Sequence, residues 1–167
     1  MGQATLHLLC GKMAAGKSTL AKELARLHQA ILLEEDHFLA ALFPGEIRGI
    51  ADYVKYSRRV KDALTSHIVT LLRSGSSVVL DFPGNTKTQR QWFRQLIDHA
   101  NVAHELHYLD VPDDVCKRQL KQRSRGRPEG SSFTTEAEFD AVTSYFQPPA
   151  EEENFNVRRR THAMKNA

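Results

Sequence analysis

The most constraining feature of this sequence is the octapeptide Gly11-Lys12-Met13-Ala14-Ala15-Gly16-Lys17-Ser18. It fits the pattern G-x-x-x-x-G-K-[ST] in full, and it lies between an apolar run at residues 5–10 and a helical pattern at residues 18–28. Glycines let the backbone curl so that several N–H groups face one phosphate, and the N-terminus of the next helix adds its positive end. The octapeptide therefore predicts a phosphate-binding loop between a strand and a helix.

The same pattern assigns roles to its last residues and makes ATP the expected ligand. We expect the octapeptide and the adjacent Thr19 to contact the phosphates. The Lys17 ammonium would reach the outer phosphates, and the Ser18 hydroxyl would ligate Mg²⁺. Lys17 is therefore predicted to act both in nucleotide binding and in catalysis.

Short apolar runs alternate with amphipathic segments along the rest of the chain. Such alternation predicts an α/β protein, here a three-layer P-loop NTPase fold with a mostly parallel five-stranded sheet and an arginine-bearing lid. Ligands bind beyond the carboxyl ends of the strands in such sheets, so residues that follow strands are the functional candidates. The predicted strands are residues 5–10, 30–33, 77–80, 104–109 and 154–158, and the predicted helices are residues 18–28, 36–42, 52–73, 86–100, 113–123 and 134–146.

The net charge of +3 comes from the end of the chain. Arg158, Arg159, Arg160 and Lys165 contribute +4 to a stretch without acids, so subtracting that +4 from +3 leaves −1 for the remainder. We predict one P-loop kinase-like domain at residues 1–157, with a lid at about residues 118–133, and a basic tail at residues 158–167. A short basic tail is usually solvated, so nucleic acid is an open but not favoured partner.

Composition favours an ordinary globular domain. Hydrophobic residues make up 41% of the chain and charged residues 26%. No apolar run approaches the length of a membrane span, and the N-terminus does not resemble a signal peptide. The two cysteines, Cys10 and Cys116, do not form a disulfide framework. These features predict a cytoplasmic protein.

Two groups of acids follow predicted strands. Asp81 follows the apolar residues 78–80, a pattern in which the carboxylate holds Mg²⁺, so Asp81 is the second predicted metal ligand. Glu34, Glu35 and Asp36 follow the second strand, near the expected position of the transferred phosphate. Asp36 is the candidate general base for an acceptor hydroxyl, and Glu34 is a weaker candidate. Asp36 also suits the N-cap of the following helix, and the sequence leaves both roles open.

A basic segment follows the fourth predicted strand. Arginines that close over a transferred phosphoryl group stabilise its charge and exclude water. We predict that Arg118 and Arg123 act in catalysis and that Arg123 and Arg127 contact the nucleotide. A run of charges is more often a solvated helix face, and that alternative also fits this segment. Its basic side chains are Arg118, Lys121, Arg123, Arg125 and Arg127.

The eight histidines do not form an evident metal motif. His104 and His107 lie on one predicted strand, where side chains three positions apart face opposite sides of the sheet. His7 and Cys10 have the same spacing, so neither pair is expected to bind one metal ion, and structural zinc is not predicted. Cys10 is expected to be a buried apolar residue.

The chain resembles the small bacterial P-loop ATPases of the zeta-toxin and polynucleotide-kinase-like group, within the adenylate-kinase-like kinases. The resemblance implies that Asp36 is the base and that residues 148–155 pack on adenine. It also implies that Arg118 and Arg123 are the lid arginines. Bacteriophage polynucleotide kinases carry a basic residue shortly after the acid, whereas His37-Phe38-Leu39 follows here. The stretches that carry the resemblance are GKMAAGKSTLAKEL at 11–24, EEDHFL at 34–39, VVLDFPGNTKTQRQWF at 78–93 (with Asp81, Asn85 and Arg90), YLDVPDDVCKRQLKQR at 108–123 and YFQPPAEEENF at 145–155.

Together the motifs favour an ATP- and Mg²⁺-dependent kinase that transfers the γ-phosphate to a hydroxyl of a small molecule or nucleotide. Two alternatives stay open: a P-loop ATPase or nucleotide switch without a phosphoryl acceptor, and a kinase of nucleic-acid 5′ ends that uses the basic tail. A GTPase is not expected, because residues 85–88 do not fit the guanine-binding pattern Asn-Lys-x-Asp.

Overall fold

Within the described residues, five parallel strands form one sheet in the order β2-β3-β1-β4-β5. The computed structural model describes residues 3–128, 131 and 133–161 of the 167-residue chain. This architecture confirms the predicted α/β P-loop fold. The strands are β1 (Thr5–Gly11), β2 (Ile31–Glu34), β3 (Val78–Asp81), β4 (Ala103–Leu109) and β5 (Val157–Arg160). The helices are α1 (Lys17–His28), α2 (Glu35–Leu42), α3 (Ile50–Arg73), α4 (Lys87–Ala100), α5 (Asp113–Ser124) and α6 (Glu136–Thr143), with a 3₁₀ turn at Glu151–Glu153.

The two faces of the sheet have separate apolar cores, because side chains alternate along each strand. Leu8 of β1 belongs to the cluster that contains Ile68 of α3 and Phe93 of α4. Leu9 belongs to the opposite cluster, together with Leu20 of α1. Burial on both faces explains why the central strands read as near-continuous apolar runs. None of the described helices combines the length and apolarity needed to cross a membrane.

The parallel sheet brings the carboxyl ends of its strands to one edge. β1 lies in the middle of the sheet and β3 is its neighbour, so Gly11 and Asp81 end adjacent strands. β2 lies beyond β3 and ends at Glu34, whose register partner is Asp81. The predicted phosphate loop, metal ligand and acidic segment therefore share the edge where parallel sheets bind ligands.

The last strand lies further along the chain than predicted. β5 spans Val157–Arg160 and pairs in parallel with β4, from Leu106↔Val157 to Leu109↔Arg160. Residues 158–160, which the sequence assigns to the basic tail, are therefore part of the sheet, while residues 162–167 lie outside the described residues. The arginines are exposed on an edge strand, where charged side chains discourage pairing with another chain.

Five of the six described helices begin one or two residues from their predicted starts, and the cap positions of α6 and α2 show where two of these starts are set. α6 begins at Glu136 because Thr135 is its N-cap, in a capping box with Glu138. α2 begins at Glu35, with Glu34 at the N-cap position, so Asp36 lies within the first helical turn. The alternative in which Asp36 caps α2 is therefore wrong.

Candidate active site

The phosphate-binding loop forms the turn between Gly11, the last residue of β1, and Lys17, the first residue of α1. Gly16 has a φ of +103°, a left-handed conformation that glycine adopts without steric cost. A side chain at Gly11 would place its Cβ only 3.1 Å from the Cβ of Leu109 at the end of β4. Backbone conformation therefore explains one glycine of the octapeptide, and close packing explains the other.

Lys17 lies over its own loop. Its Nζ donates a hydrogen bond to the carbonyl of Gly11 over 2.7 Å and a longer one to the carbonyl of Lys12 over 3.4 Å. Desolvation lowers the pKa of Lys17, and the nearby Asp81 carboxylate acts in the opposite direction. The ammonium is therefore placed between the loop backbone and the predicted metal ligand.

Ser18 and Asp81, the predicted magnesium ligands, are in direct contact. The Ser18 hydroxyl donates a hydrogen bond to Asp81 Oδ2 over 2.7 Å. Desolvation raises the pKa of Asp81, whereas the Ser18 hydrogen bond and Lys17 lower it. The negative charges of Asp36 and Glu34 raise it further, so three carboxylates lie close together. Oxygen ligands among several carboxylates suit a hard divalent cation.

Asp36 and Arg123 lie close enough for their charges to interact. Asp36 is exposed in the first turn of α2, and its charge raises the pKa values of Lys17 and Arg123. Desolvation and the charge of Arg127 lower the pKa of Arg123. The end of α5 thus brings Arg123 toward the acid predicted to act as base, and Arg127, three residues beyond the helix, lies near Arg123.

Within the described residues, Arg118 makes its ion pair with Asp114, one turn earlier on α5, at 3.9 Å. Its side chain is 73% exposed, and the contacts of the described residues do not link it to the phosphate loop or to Asp36. A catalytic role for Arg118 therefore stays a prediction. The lid predicted at about residues 118–133 comprises the end of α5 and the chain after it, of which residues 129, 130 and 132 lie outside the described residues.

Glu35 is a buried residue whose role the sequence pattern does not identify. It is 1% exposed, and its two carboxylate oxygens accept hydrogen bonds from the Tyr53 hydroxyl and from Ser57 Oγ, the latter over 2.7 Å. Desolvation raises the pKa of Glu35, while these two hydroxyls lower it. The bonds fasten the first turn of α2 to α3 and thereby fix the backbone of Asp36. The available sequence signal is the spacing of Tyr53 and Ser57, one helical turn apart.

Arg90 of α4 anchors the segment that precedes β5. The side chain is fully buried and donates to both carboxylate oxygens of Glu153, over 2.8 and 3.1 Å. It also donates to the carbonyls of Gly84 over 2.9 Å and Pro148 over 3.3 Å. The resemblance singled out Arg90, but only the structure shows that it holds the residues predicted to pack on adenine.

Asn85 joins the same segment to the phosphate loop. Its Oδ1 accepts a hydrogen bond from the Gly11 N–H, and its carbonyl accepts one from the Gln147 N–H, both over 2.8 Å. Within the loop, Lys12 Nζ lies 5.5 Å from the centre of the Phe146 ring. The segment that leads from Phe146 to β5 therefore starts next to the phosphate-binding loop.

Known proteins are similar to this chain in sequence. A family model described as "AAA domain" matches residues 6–149. A shikimate kinase from Aromatoleum aromaticum is 35% identical over 131 residues, which cover 74% of this chain and 66% of that protein. The chain thus spans just under two thirds of the length of this curated relative.

Solved structures share the fold at lower identity. A candidate kinase from Chloroflexus aurantiacus has a TM-score of 0.73 and 20% identity, covering 96% of this chain and 89% of its own. The Mycobacterium tuberculosis APS kinase CysC, in complex with AMPPNP and APS, has a TM-score of 0.63 and 17% identity, covering 96% of this chain and 90% of its own. At these identities the likeness concerns the fold.

Proposed function

Because the chain belongs to this AAA-domain family of P-loop proteins, we propose that it is a kinase that uses ATP and Mg²⁺ to phosphorylate a hydroxyl of a small molecule or nucleotide. Family membership confirms the resemblance to P-loop kinases that the motifs predicted. The observation that carries the proposal is the meeting of the Ser18–Asp81 pair, Lys17 and Asp36 at one edge of the sheet. Phosphoryl transfer needs this combination of a phosphate-binding lysine, metal-binding oxygens and an exposed carboxylate.

The nucleotide is assigned to the loop and to the segment that Arg90 anchors. The loop N–H groups and Lys17 would bind the β- and γ-phosphates, while residues 148–155 would pack on adenine. Ser18 and Asp81 present oxygen atoms 2.7 Å apart, and oxygen is the ligand type that Mg²⁺ prefers. Bound there, Mg²⁺ would neutralise charge on the phosphates.

Asp36 and Arg123 are assigned to the transfer step. The acceptor oxygen attacks the γ-phosphorus and loses its proton to the Asp36 carboxylate. The bond from the γ-phosphorus to the bridging oxygen breaks, and ADP leaves with the electron pair of that bond. Arg123 stabilises the charge on the transferred group from the side of α5. The exposure of Asp36 leaves it accessible to an acceptor.

A small acceptor is the favoured substrate class. The relative at 35% identity is a shikimate kinase, a kinase named for a small molecule. The buried Glu35 fastens the first turn of α2 to α3, so the backbone of Asp36 is fixed before an acceptor binds.

A transfer assay with γ-labelled ATP tests the proposal. The acceptor panel should contain shikimate, other hydroxylated small molecules, nucleosides and oligonucleotides with free 5′ hydroxyls. We expect label in one small-molecule or nucleoside product, and loss of that product in Asp36→Asn with ATP binding retained. Label released only as inorganic phosphate, at a rate that no acceptor changes, would instead support the ATPase alternative. Label on oligonucleotides alone would support the nucleic-acid alternative.

A further inference from the structure

Two buried histidines and a glutamate meet on the face of the sheet that α1 covers. His7 of β1 and His107 of β4 are each 2% exposed. His7 Nδ1 lies 3.2 Å from His107 Nε2, and Glu105 Oε2 lies 3.7 Å from the first nitrogen and 3.4 Å from the second. Within the part of the chain that the structure describes, these three residues form a group with the ligand atoms needed to hold a metal ion.

Pairing between neighbouring strands creates this group. Residues on one strand three positions apart, such as His104 and His107, face opposite sides of the sheet, as expected. Across the sheet, however, His7 is the register partner of Glu105, and His107 lies two residues beyond Glu105 on the same strand. Residues two apart share a face, so all three side chains project from one side. Spacing along a single strand therefore gave no sign of the group.

The three separations match those between the ligands of a tetrahedral zinc ion. With Zn–N distances of about 2.0–2.1 Å, two ligand atoms of a tetrahedron lie about 3.3 Å apart. The observed separations of 3.2, 3.4 and 3.7 Å are close to that value. We propose that His7 Nδ1, His107 Nε2 and Glu105 Oε2 form a zinc-binding site, with one position left for a further ligand. Two imidazoles and a carboxylate are a ligand set that zinc accepts.

A hydrogen bond between two neutral imidazoles is the alternative use of the same atoms, and 3.2 Å also suits that bond. At most one of the two facing nitrogens then carries a proton, and the other presents a lone pair. Glu105 Oε2 nevertheless approaches both nitrogens, and an ionised carboxylate only accepts. The carboxylate oxygen and the unprotonated nitrogen therefore repel each other. A cation bound between the three atoms would replace this repulsion with coordination.

The surroundings hold two of the three ligands in place, while the buried His107 Nδ1 has no hydrogen-bond partner among the described residues. Glu105 Oε1 lies 3.6 Å from the Arg158 guanidinium of β5, which leaves Oε2 directed at the histidines. The His7 ring stacks on His28, the last residue of α1, with centroids 4.6 Å apart. Polar partners such as the Arg158 guanidinium orient ligating carboxylates in known metal sites. Desolvation lowers the pKa of both histidines, for His107 to about 4, which favours the neutral ring in each case.

The site is remote from the phosphate loop. Gly11 lies four positions after His7, which is about 13 Å along the strand at about 3.3 Å per residue. Zinc there would join β1 to β4 and would not touch the transferred phosphate. Its expected effect is on stability, so its test does not depend on the proposed kinase activity.

Calorimetric titration of the full-length protein with Zn²⁺, after treatment with EDTA, tests the proposal. Excess Mg²⁺ should be present so that the Ser18–Asp81 site does not take up zinc. We expect one zinc ion to bind per chain and to raise the melting temperature. Glu105→Gln keeps the shape of a residue whose side chain is already 29% exposed, and it should weaken binding at least about 10–100-fold. His107→Gln should have the same effect.

His104→Gln is the matched control, since it removes a histidine from the opposite face of the same strand. Its zinc affinity and stoichiometry should equal those of the wild type. No zinc binding by the wild type, or equal affinity in the wild type and Glu105→Gln, would overturn the proposal. The Glu105 variant decides the matter even if the buried His107 variant fails to fold.

Discussion

The buried ion pair between Arg90 and Glu153 permits a quantitative test of how the segment before β5 is held. The Arg90 side chain is 0% exposed and that of Glu153 is 14% exposed, so Glu153→Gln leaves a buried guanidinium without its counter-charge. Removing one partner of a buried pair costs about 3–5 kcal/mol. Glutamine keeps one acceptor oxygen for Arg90, so we expect the lower end of that range, about 3 kcal/mol of unfolding free energy.

Thermal unfolding measures this loss. In a domain of this size 1 kcal/mol corresponds to about 2–4 °C, so Glu153→Gln should lower the melting temperature by about 6–12 °C. The neighbouring Glu152→Gln is the control, because Glu152 is 72% exposed and lies 3.8 Å from Lys87. Its change should stay within about 0.5 kcal/mol. Equal melting temperatures for the two variants would refute the assigned role of the Arg90–Glu153 pair.

The pH dependence of the stability difference between the wild type and Glu153→Gln provides a second check. Desolvation raises the pKa of Glu153, but the hydrogen bonds from Arg90 and the Ala150 N–H outweigh it, so the pKa is lowered overall. A carboxylate with a depressed pKa in the folded state contributes stability above its unfolded pKa and loses it as the pH falls through the folded value. The difference in unfolding free energy between the wild type and Glu153→Gln should therefore be constant near neutral pH and shrink below about pH 4. A difference that persisted undiminished into stronger acid would contradict the ionic interpretation.

Three further substitutions separate the proposed roles in the active site. Lys17→Ala should abolish ATP turnover while leaving the circular dichroism spectrum and melting curve close to those of the wild type; normal turnover would refute the phosphate-loop interpretation. Asp81→Asn should shift the Mg²⁺ dependence of activity to higher concentration more than it changes the affinity for ATP, and an unchanged Mg²⁺ titration would exclude Asp81 as a metal ligand. Asp36→Asn and Asp36→Ala should each lower phosphoryl transfer by a factor of about 10² or more. Both should keep the melting temperature within about 2 °C, because Asp36 is not the cap of α2. Transfer at the wild-type rate in either variant would make Glu34, beside Asp81, the remaining candidate for the base.

Local sequence pattern was sufficient for the fold and for the phosphate loop, because both depend on periodicity and on residues adjacent in the chain. The same reasoning misplaced β5. The arginines of Val157–Arg160 are typical of a solvated tail, and the strand exists because its backbone pairs with β4. An edge strand with exposed side chains has no apolar face for a pattern to reveal.

Contacts between distant residues account for most of what the sequence left undetermined. Glu153 lies 63 residues from Arg90, and Ser57 lies 22 residues from Glu35. A glutamate is ordinarily exposed, and it is tolerated in the interior only when partners satisfy its charge. The local sequence pattern around Glu35 does not predict that hydroxyls from another helix would hydrogen-bond to its carboxylate.

The acidic segment after β2 shows how such a distant contact gives two consecutive acids different surroundings. Glu35 and Asp36 are consecutive, and both are possible proton acceptors by composition alone. Consecutive residues of a helix point about 100° apart, so the two carboxylates face different surroundings. Glu35 is buried against α3 with both oxygens hydrogen-bonded, which leaves it inaccessible to an acceptor in solution. Asp36 is exposed and close enough to Lys17 and Arg123 to influence their pKa values. The packing of α2 on α3 thus fixes the backbone of the exposed acid, which is why Asp36 and not Glu35 is the base in the proposed mechanism.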